Sequence, residues 1–102
     1  MSVRHVVMWK LREQAEGADR AANAARVKAA LEALRGRIPG LLRLEVGVDY
    51  NRSPAAWDVV LVSEHESRAA LEAYQVHPEH VRVAELIGKV RADRAVVDYD
   101  VG

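Results

Sequence analysis

Residues 3–11 alternate between two sets of side chains, and this pattern limits the possible folds more than any other feature. One set lies at the odd positions: Val3, His5, Val7, Trp9 and Leu11. A period of two residues is that of a β-strand. The even positions are basic at the ends and apolar in the middle, at Val6 and Met8. A strand that is apolar on both faces indicates a sheet covered on both sides, so we expect helices on one side and a partner subunit on the other.

Three later segments also predict strands: 41–50, 57–63 and 95–101. In the first of these, the apolar positions that we expect to share one side are Leu42, Leu44, Val46, Val48 and Tyr50. The residues between the second and third strands, Asn51-Arg52-Ser53-Pro54, are typical of a turn. The short link therefore predicts an antiparallel hairpin.

A long helix is predicted between the first two strands. Residues 13–18 form a polar connection, and Asp19 is a plausible N-cap for a helix that reaches about Arg35. Its apolar stripe, continued beyond the helix, is Ala24, Val27, Leu31, Leu34 and Ile38. Gly36 and then Pro39-Gly40 are expected to stop the helix.

Pro78 predicts a break between two shorter helices. Proline cannot continue a helix, but it fits the first turn of a new one. We therefore expect one helix over 68–75, with Ser67 as its N-cap, and a second from Pro78 to about Gly88. His77 then lies near the second N-cap.

The break directs titratable side chains toward the interior. Helical spacing places four residues on one face of the second helix: His77, His80, Ala84 and Ile87. Tyr74 closes the first helix on an apolar stripe that includes Ala70 and Leu71. We expect the Tyr74 phenol and the His80 imidazole to meet at a small internal cavity.

The element order βαββ(αα)β predicts an α+β, ferredoxin-like fold with a four-stranded antiparallel sheet and helices on one face. We expect a single domain over residues 3–99. The uncovered sheet face is expected to form a homodimer, because a chain of 102 residues has a modest core.

Composition and charge disfavour several classes of protein. The 15 basic and 15 acidic residues balance, and no nucleic-acid motif is present, so we expect no nucleic-acid partner. The absence of cysteine excludes disulfides and thiolate catalysis. No apolar run is long enough for a secretion signal or a membrane span, so we expect a cytoplasmic protein with no membrane partner.

Several segments together resemble the stress-responsive α/β-barrel (Dabb) domain. They are His5-Val6-Val7, Ile38-Pro39-Gly40, Trp57-Asp58, Ala73-Tyr74-Gln75-Val76-His77-Pro78-Glu79-His80 and Val96-Val97-Asp98-Tyr99. The resemblance implies a dimer whose two sheets face each other as a barrel. A plant polyketide cyclase that resembles this family closes a ring by an aldol-type reaction on a poly-β-ketone. By similarity, its catalytic tyrosine and histidines fall on Tyr74, His80 and His5, and its pocket positions fall on Val7 and Trp9.

The residues themselves support a similar chemistry. The helix dipole and partial burial both favour a neutral His80, which can act as a general base. Tyr74 could donate a hydrogen bond to a developing enolate, and His5 could hold the substrate or orient another residue. We assign substrate binding to Val7, Trp9 and His77. Because Trp9 is bulky, it could shrink or close the pocket. No cofactor is needed.

Other interpretations of these residues remain open. His77 and His80 could simply cap the helix, Tyr74 and His5 could be hydrogen-bonded core residues, and Asp98 could be a solvated or ion-paired strand residue. His77 and His80 lack a third metal ligand, so we expect no metal. The alternative function is a non-catalytic, stress-associated dimer that binds a small apolar ligand. A haem-free monooxygenase is suggested only by analogy of architecture.

Overall fold

The strand β1 (Ser2–Leu11) is the inner strand around which the other elements are arranged. The computed structural model describes all 102 residues, Met1–Gly102. The remaining elements are β2 (Gln14–Ala15), β3 (Ala18–Asp19), α1 (Arg20–Glu32), β4 (Leu41–Val48), β5 (Val59–His65), α2 (Arg68–Val76), α3 (Pro78–Val90) and β6 (Arg91–Val101).

The main sheet has four antiparallel strands in the order β4-β5-β1-β6. His5 lies at the centre of β1, directly opposite Ser63 of β5 and Asp98 of β6. Since residues that face each other across a ladder share one face of the sheet, these three side chains lie on the same side. The predicted ferredoxin-like α+β fold is confirmed.

The three helices cover only one face of this sheet. The odd residues of β1 are all buried, whereas the even residues are only half-buried. The covered face contributes to a core of 17 buried apolar residues, which includes Val7, Leu31 and Leu61. The opposite face is open and partly apolar, as the alternation in β1 predicts. None of the helices is long and apolar enough to cross a membrane.

The helix α1 begins as predicted, with the Asp19 carboxylate accepting the Ala22 N–H at 2.9 Å. It ends at Glu32, however, and not at the predicted Arg35. The chain continues as tight turns up to Gly36, whose φ of +74° is a left-handed conformation that favours glycine. Leu34 remains buried on the core side.

The predicted side assignment of Leu42 is wrong. A β-bulge between Leu41 and Arg43 changes the register of β4, so that Leu41 pairs with His65 and Leu42 becomes 49% exposed. A bulge adds one residue to the strand, so the side chains before it point to the opposite side of the sheet from the one that simple alternation predicts. Tyr50 lies beyond the end of β4 and is 95% exposed.

Other element boundaries also differ from the prediction. The polar connection at 13–18 contains a small hairpin, in which Glu16 and Gly17 both have positive φ, as tight hairpin turns require. The strand β5 ends two residues later than predicted, at His65. The helix α3 continues past Gly88 to Val90. The strand β6 begins at the next residue, Arg91, and not at the predicted Ala95.

Gly40 sets how closely α2 approaches the sheet. Its φ is +83°, and a Cβ atom at this position would lie 2.8 Å from the Ala70 Cβ. The Gly40 carbonyl also accepts the Glu66 N–H at 2.9 Å, just before α2 begins. The backbone of this turn therefore serves as the surface on which α2 packs.

We predict that Gly40→Ala destabilises the protein more than Gly36→Ala does. Both changes place a side chain at positive φ, which costs about 1–2 kcal/mol. Only the first also clashes with a helix, which adds about 1–3 kcal/mol, whereas a Cβ at Gly36 meets nothing within 4 Å. Urea unfolding measures the difference.

Ala70→Gly provides the matched second-site control for this pair. It should recover part of the loss in the Gly40→Ala background but should be destabilising on its own, because glycine lowers helix stability. Equal losses for the two single alanine variants would show that the close approach does not matter.

Candidate active site between the sheet and the C-terminal helices

Tyr74 lies at the centre of a group of three histidines. Its side chain is completely buried, one turn before the end of α2. The centroid of its ring lies 4.4 Å from that of His80, 4.7 Å from that of His65 and 6.2 Å from that of His5. The strands β1 and β5 and the helices α2 and α3 thus bring four titratable rings together in the core.

The break between α2 and α3 places Tyr74 beside His80. His77 is extended, with φ −64° and ψ 134°, and it both ends α2 and caps α3. Its Nδ1 accepts the Glu79 N–H at 3.1 Å, so this ring acts as the N-cap. Pro78 then occupies the first helical position, as predicted.

His80 has a defined tautomer. Its Nδ1 lies 3.1 Å from the Gln75 carbonyl oxygen. A carbonyl can only accept, so Nδ1 carries the proton and the neutral ring keeps a lone pair on Nε2. Burial lowers the pKa of His80, and the nearby His5 and Arg94 act in the same direction against the opposing effect of the Gln75 bond. His80 therefore fits the description of a neutral base.

The Tyr74 hydroxyl has no hydrogen-bond partner, although it is buried. Burial raises the pKa of the phenol well above its ordinary value, so the hydroxyl stays protonated and can act only as a neutral donor or acceptor. An unpaired buried hydroxyl costs about 1–3 kcal/mol. Such a group marks a place where a ligand could supply the missing partner.

His5 is held by a carboxylate from the neighbouring strand. Its Nδ1 donates to Asp98 Oδ1 at 2.5 Å, and its side chain is only 3% exposed. Asp98 lies opposite His5 in the ladder between β1 and β6, so the pairing of the strands creates this contact. The bond fixes the orientation of the imidazole and leaves Nε2 free of protein partners.

His65 is a site residue that the sequence analysis missed. The predicted third strand ended at Ser63, but the alternation of Val59, Leu61 and Ser63 continues by one more step to His65. Following the pattern to its end would have found this residue. Its Nε2 lies 2.9 Å from Ser63 Oγ, while its buried Nδ1 has no partner.

A small cavity lies beside this group, with a volume of about 130 Å³. Its lining residues are His5, Val7, Trp9, Leu31, Leu61, His80, Ala84, Ile87, Arg91 and Arg94. Tyr74 contacts His80 but does not itself line the cavity. The indole of Trp9 forms part of the wall, and the 4.4 Å separation of the Tyr74 and His80 rings leaves no room for it between them.

The structure thus brings most of the predicted site residues together. One cavity is lined by His5, Val7, Trp9 and His80. Tyr74 is not part of this lining, but its ring contacts the ring of His80. His77 does not line the cavity. No group of three or more histidine or acidic side chains is close enough to hold a metal ion.

We predict that His65 makes the stability of the protein depend on pH. Burial, followed by the proximity of His5, lowers the pKa of His65 from 6.5 to about 4. The unfolded chain therefore binds more protons than the folded chain between these values, and the free energy of unfolding increases with pH across this window. We expect His65 to contribute a loss of about 2–3 kcal/mol between pH 6.5 and pH 4.

Urea unfolding at several pH values measures this effect. His65→Gln should flatten the pH dependence, whereas Tyr50→Phe, at a residue that is 95% exposed and outside the buried cluster, should leave it unchanged. An identical slope in His65→Gln and the wild type would contradict the prediction.

The resemblance noted in the sequence is supported by comparison with protein families. The model of the stress responsive A/B barrel domain, Dabb, matches residues 3–101. No protein with a curated description matches the chain.

Solved structures share this fold. A dimeric protein of unknown function and ferredoxin-like fold from Bacteroides fragilis is 31% identical, with a TM-score of 0.86 over 98% of this chain and 96% of the other. A hydroxynitrile lyase from Passiflora edulis is 17% identical, with a TM-score of 0.82 over 99% and 94% of the chains. SnoaB, a cofactor-independent oxygenase from Streptomyces nogalater, is 14% identical, with a TM-score of 0.76 over 99% and 93%.

The two enzymes are too distant in sequence to indicate more than the fold. The family match, in contrast, extends over nearly the whole chain and includes every residue of the site. The chain therefore belongs to the stress responsive A/B barrel (Dabb) domain family.

Proposed function

We propose that this protein is a cofactor-independent acid–base catalyst that forms an enolate of a small carbonyl compound and closes a carbon–carbon bond, as a polyketide cyclase does. One observation carries the proposal. A neutral His80 with a free Nε2 lies against Tyr74, whose buried hydroxyl has no partner. A base and an unpaired donor side by side are what enolate formation requires.

In the first step, His80 Nε2 removes a proton from a carbon between two carbonyl groups. The C–H electron pair becomes the carbon–carbon double bond of the enolate, and the electrons of one carbonyl move onto its oxygen. His80 becomes an imidazolium. The low pKa of the buried ring keeps it neutral beforehand, so that it is ready to accept this proton.

Tyr74 stabilises the enolate oxygen by donating its O–H. The hydroxyl is fully buried and Tyr74 does not line the cavity, so the substrate oxygen reaches it only when the cavity widens on binding. Catalytic hydrogen bonds commonly shorten in the substrate complex. The new bond would satisfy the phenol and supply a preorganised electrostatic interaction.

The second step joins the enolate carbon to another carbonyl carbon of the same molecule. The carbonyl electrons move onto its oxygen, which takes the proton from the His80 imidazolium and restores the neutral base. The product is an isomer of the substrate, so no other reactant is required. His5, oriented by Asp98, accepts a hydrogen bond from an enol hydroxyl of the substrate through the lone pair on its free Nε2.

The volume of the cavity limits the substrate. Pockets for drug-sized ligands measure about 300–1,000 Å³, whereas this cavity measures about 130 Å³. Trp9 occupies one wall. We therefore propose a short compound that has a β-dicarbonyl unit and a third carbonyl group for the ring closure, or a longer one of which only the reacting end enters.

We predict that His80→Ala abolishes cyclisation of a short poly-β-keto thioester, with a loss of about 10²–10⁴-fold because a general base is removed. Product formation can be followed by chromatography with mass detection. His77→Asn is the matched control, because it keeps the helix cap and leaves the cavity lining unchanged. Equal rates in the wild type and His80→Ala would exclude the proposal.

Tyr74→Phe should separate function from stability. We expect it to lower turnover while raising the free energy of unfolding by about 1 kcal/mol, because a buried hydroxyl without a partner disappears. Tyr50→Phe, at a residue that is 95% exposed, should change neither quantity. A Tyr74→Phe variant with full turnover would contradict the role of the phenol.

A second candidate function is the binding of a small apolar ligand without catalysis. Six of the ten lining residues are hydrophobic, and Trp9 narrows the space, which favours this alternative. Trp fluorescence titrated with small apolar compounds tests it. Binding that is equally tight in the wild type and His80→Ala, together with no turnover in either, would favour this function.

We also propose that the chain forms a homodimer through the open face of the sheet, giving a barrel of two sheets. The apolar side chains of this face are Val6, Met8, Val60, Val62, Val97 and Tyr99. Val97 is 62% exposed and Tyr99 is 44% exposed in the single chain. The Bacteroides protein, which is 31% identical, is dimeric, and this supports the same assembly here.

We predict that Val97→Glu weakens the dimer by at least about 100-fold, because it places an unpaired charge in an apolar interface. Val96→Glu is the matched control, since Val96 neighbours Val97 on the same strand, is 45% exposed and lies on the opposite face. Analytical ultracentrifugation measures both. Equal effects of the two changes would place the interface elsewhere.

A further inference from the structure

Two arginines line the same cavity as the catalytic histidines. Arg94 lies opposite Trp9 in the pairing of β1 with β6, and this places it on the helix-facing side of the sheet. Arg91 is the residue at which α3 ends and β6 begins. Both line the cavity, together with His5 and His80. The predicted start of the last strand at Ala95 left both residues out of the sequence-based site.

Neither guanidinium is matched by an acidic group. No hydrogen bond or ion pair involves the side chain of Arg91 or Arg94; the bonds at these residues use the Arg91 carbonyl and the Arg94 N–H. The carboxylates next to Arg94 along β6 have other partners, since Asp98 binds His5 and Asp93 Oδ1 accepts the backbone N–H of Arg94. No acidic residue lines the cavity. In a chain whose formal net charge is zero, this is a local excess of positive charge.

A structural explanation accounts for only one of the two. Arg91 lies at the end of α3, where a positive charge interacts favourably with the helix dipole. Arg94 lies inside a strand, away from any helix end. Its charge is close enough to the cavity to contribute to the lowered pKa of His80. Its side chain is exposed at the cavity and is free to bind a ligand there.

We propose that Arg94 and Arg91 bind an oxyanionic group of the substrate, a carboxylate or a phosphate, and so select anionic β-dicarbonyl compounds. This inference rests on the proposed function, because it assigns a substrate class to the same cavity. Guanidinium groups bind such anions through paired, charge-assisted hydrogen bonds. The anion remains at the more exposed arginines while the reacting carbon approaches His80.

The arrangement also explains how so small a cavity provides affinity. A volume of about 130 Å³ offers little apolar surface to a substrate. A hydrogen bond to a charged group contributes about 1.5–3 kcal/mol, and an anchored anion orients the rest of the molecule relative to the base. The affinity for the substrate therefore comes mainly from its negative charge and not from its apolar surface.

Two probes of similar size test the proposal. 3,5-Dioxohexanoate carries a carboxylate, whereas 2,4-heptanedione is neutral, and both have a carbon between two ketone groups. We expect titration calorimetry to show that 3,5-dioxohexanoate binds the wild type at least about tenfold more tightly. In the Arg91→Gln/Arg94→Gln variant, the affinity for 3,5-dioxohexanoate should fall by at least about tenfold, and that for 2,4-heptanedione by less than about twofold.

The control variant is Arg26→Gln/Arg37→Gln, which also removes two positive charges from exposed positions outside the cavity lining. It should leave both affinities unchanged. Equal affinity of the wild type for the two probes, no measurable binding of 3,5-dioxohexanoate, or the same loss in the control variant would overturn the anion site. Competition with acetate and with inorganic phosphate distinguishes the two anions, and the stronger competitor identifies the preferred group.

Deuterium exchange at the central carbon, followed by NMR, separates this proposal from the proposed function. If 3,5-dioxohexanoate binds through the arginines but its carbon between the two ketones exchanges no faster than in buffer, the anion site is supported and the catalyst is contradicted. Equally fast exchange of both probes that depends on His80, with no effect of the arginine changes, would support the catalyst and overturn the anion site.

Discussion

The pyrrolidine ring of Pro78 is the constraint on which the site depends. Its clash with the preceding residue restricts that residue to extended conformations, and His77 accordingly ends α2 and caps α3. In a continuous helix, Tyr74 and His80 would be six residues apart and rotated by about 240° from each other. The break allows the last turn of one helix to face the first turn of the next, with ring centroids 4.4 Å apart.

The site places polar groups where an apolar core would be more stable. His5, Ser63, His65 and Tyr74 are all buried on the helix-facing side of the sheet. Two of their polar atoms, His65 Nδ1 and the Tyr74 hydroxyl, are the only buried side-chain atoms without a partner. Each costs about 1–3 kcal/mol, and burial of 17 apolar residues around them offsets this cost. A local conflict of this kind is typical of a functional site.

The electrostatics of the site follow from the same burial. Removal from water keeps Tyr74 protonated and lowers the pKa values of His65 and His80. Arg94 adds a positive charge near His80 and acts in the same direction. The result is a neutral base beside a neutral donor, bordered by two cations without counterions. Such an environment favours negative charge on a bound molecule, whether it is present from the start or develops as an enolate.

Local sequence patterns predicted the elements that follow a regular period. The strands, the capping residues Asp19 and His77, and the break at Pro78 all depend on neighbours within a few positions. The bulge at Leu42 and the continuation of α3 through Gly88 could not be predicted from neighbouring residues. Strand register and packing against distant segments determine both features. The predicted end of the third strand at Ser63 excluded His65, and the predicted start of the last strand at Ala95 excluded Arg91 and Arg94.

The sequence by itself determined the order of the elements, the open apolar face of the sheet and the turning of Tyr74 and His80 toward the interior, because periodicity and proline chemistry act locally. Only the tertiary structure decided which groups meet them. Asp98 reaches His5 across a ladder between residues 93 positions apart, and Arg94 enters the cavity because β6 pairs with β1. Contacts of that range depend on strand register, which the folded sheet establishes as a whole.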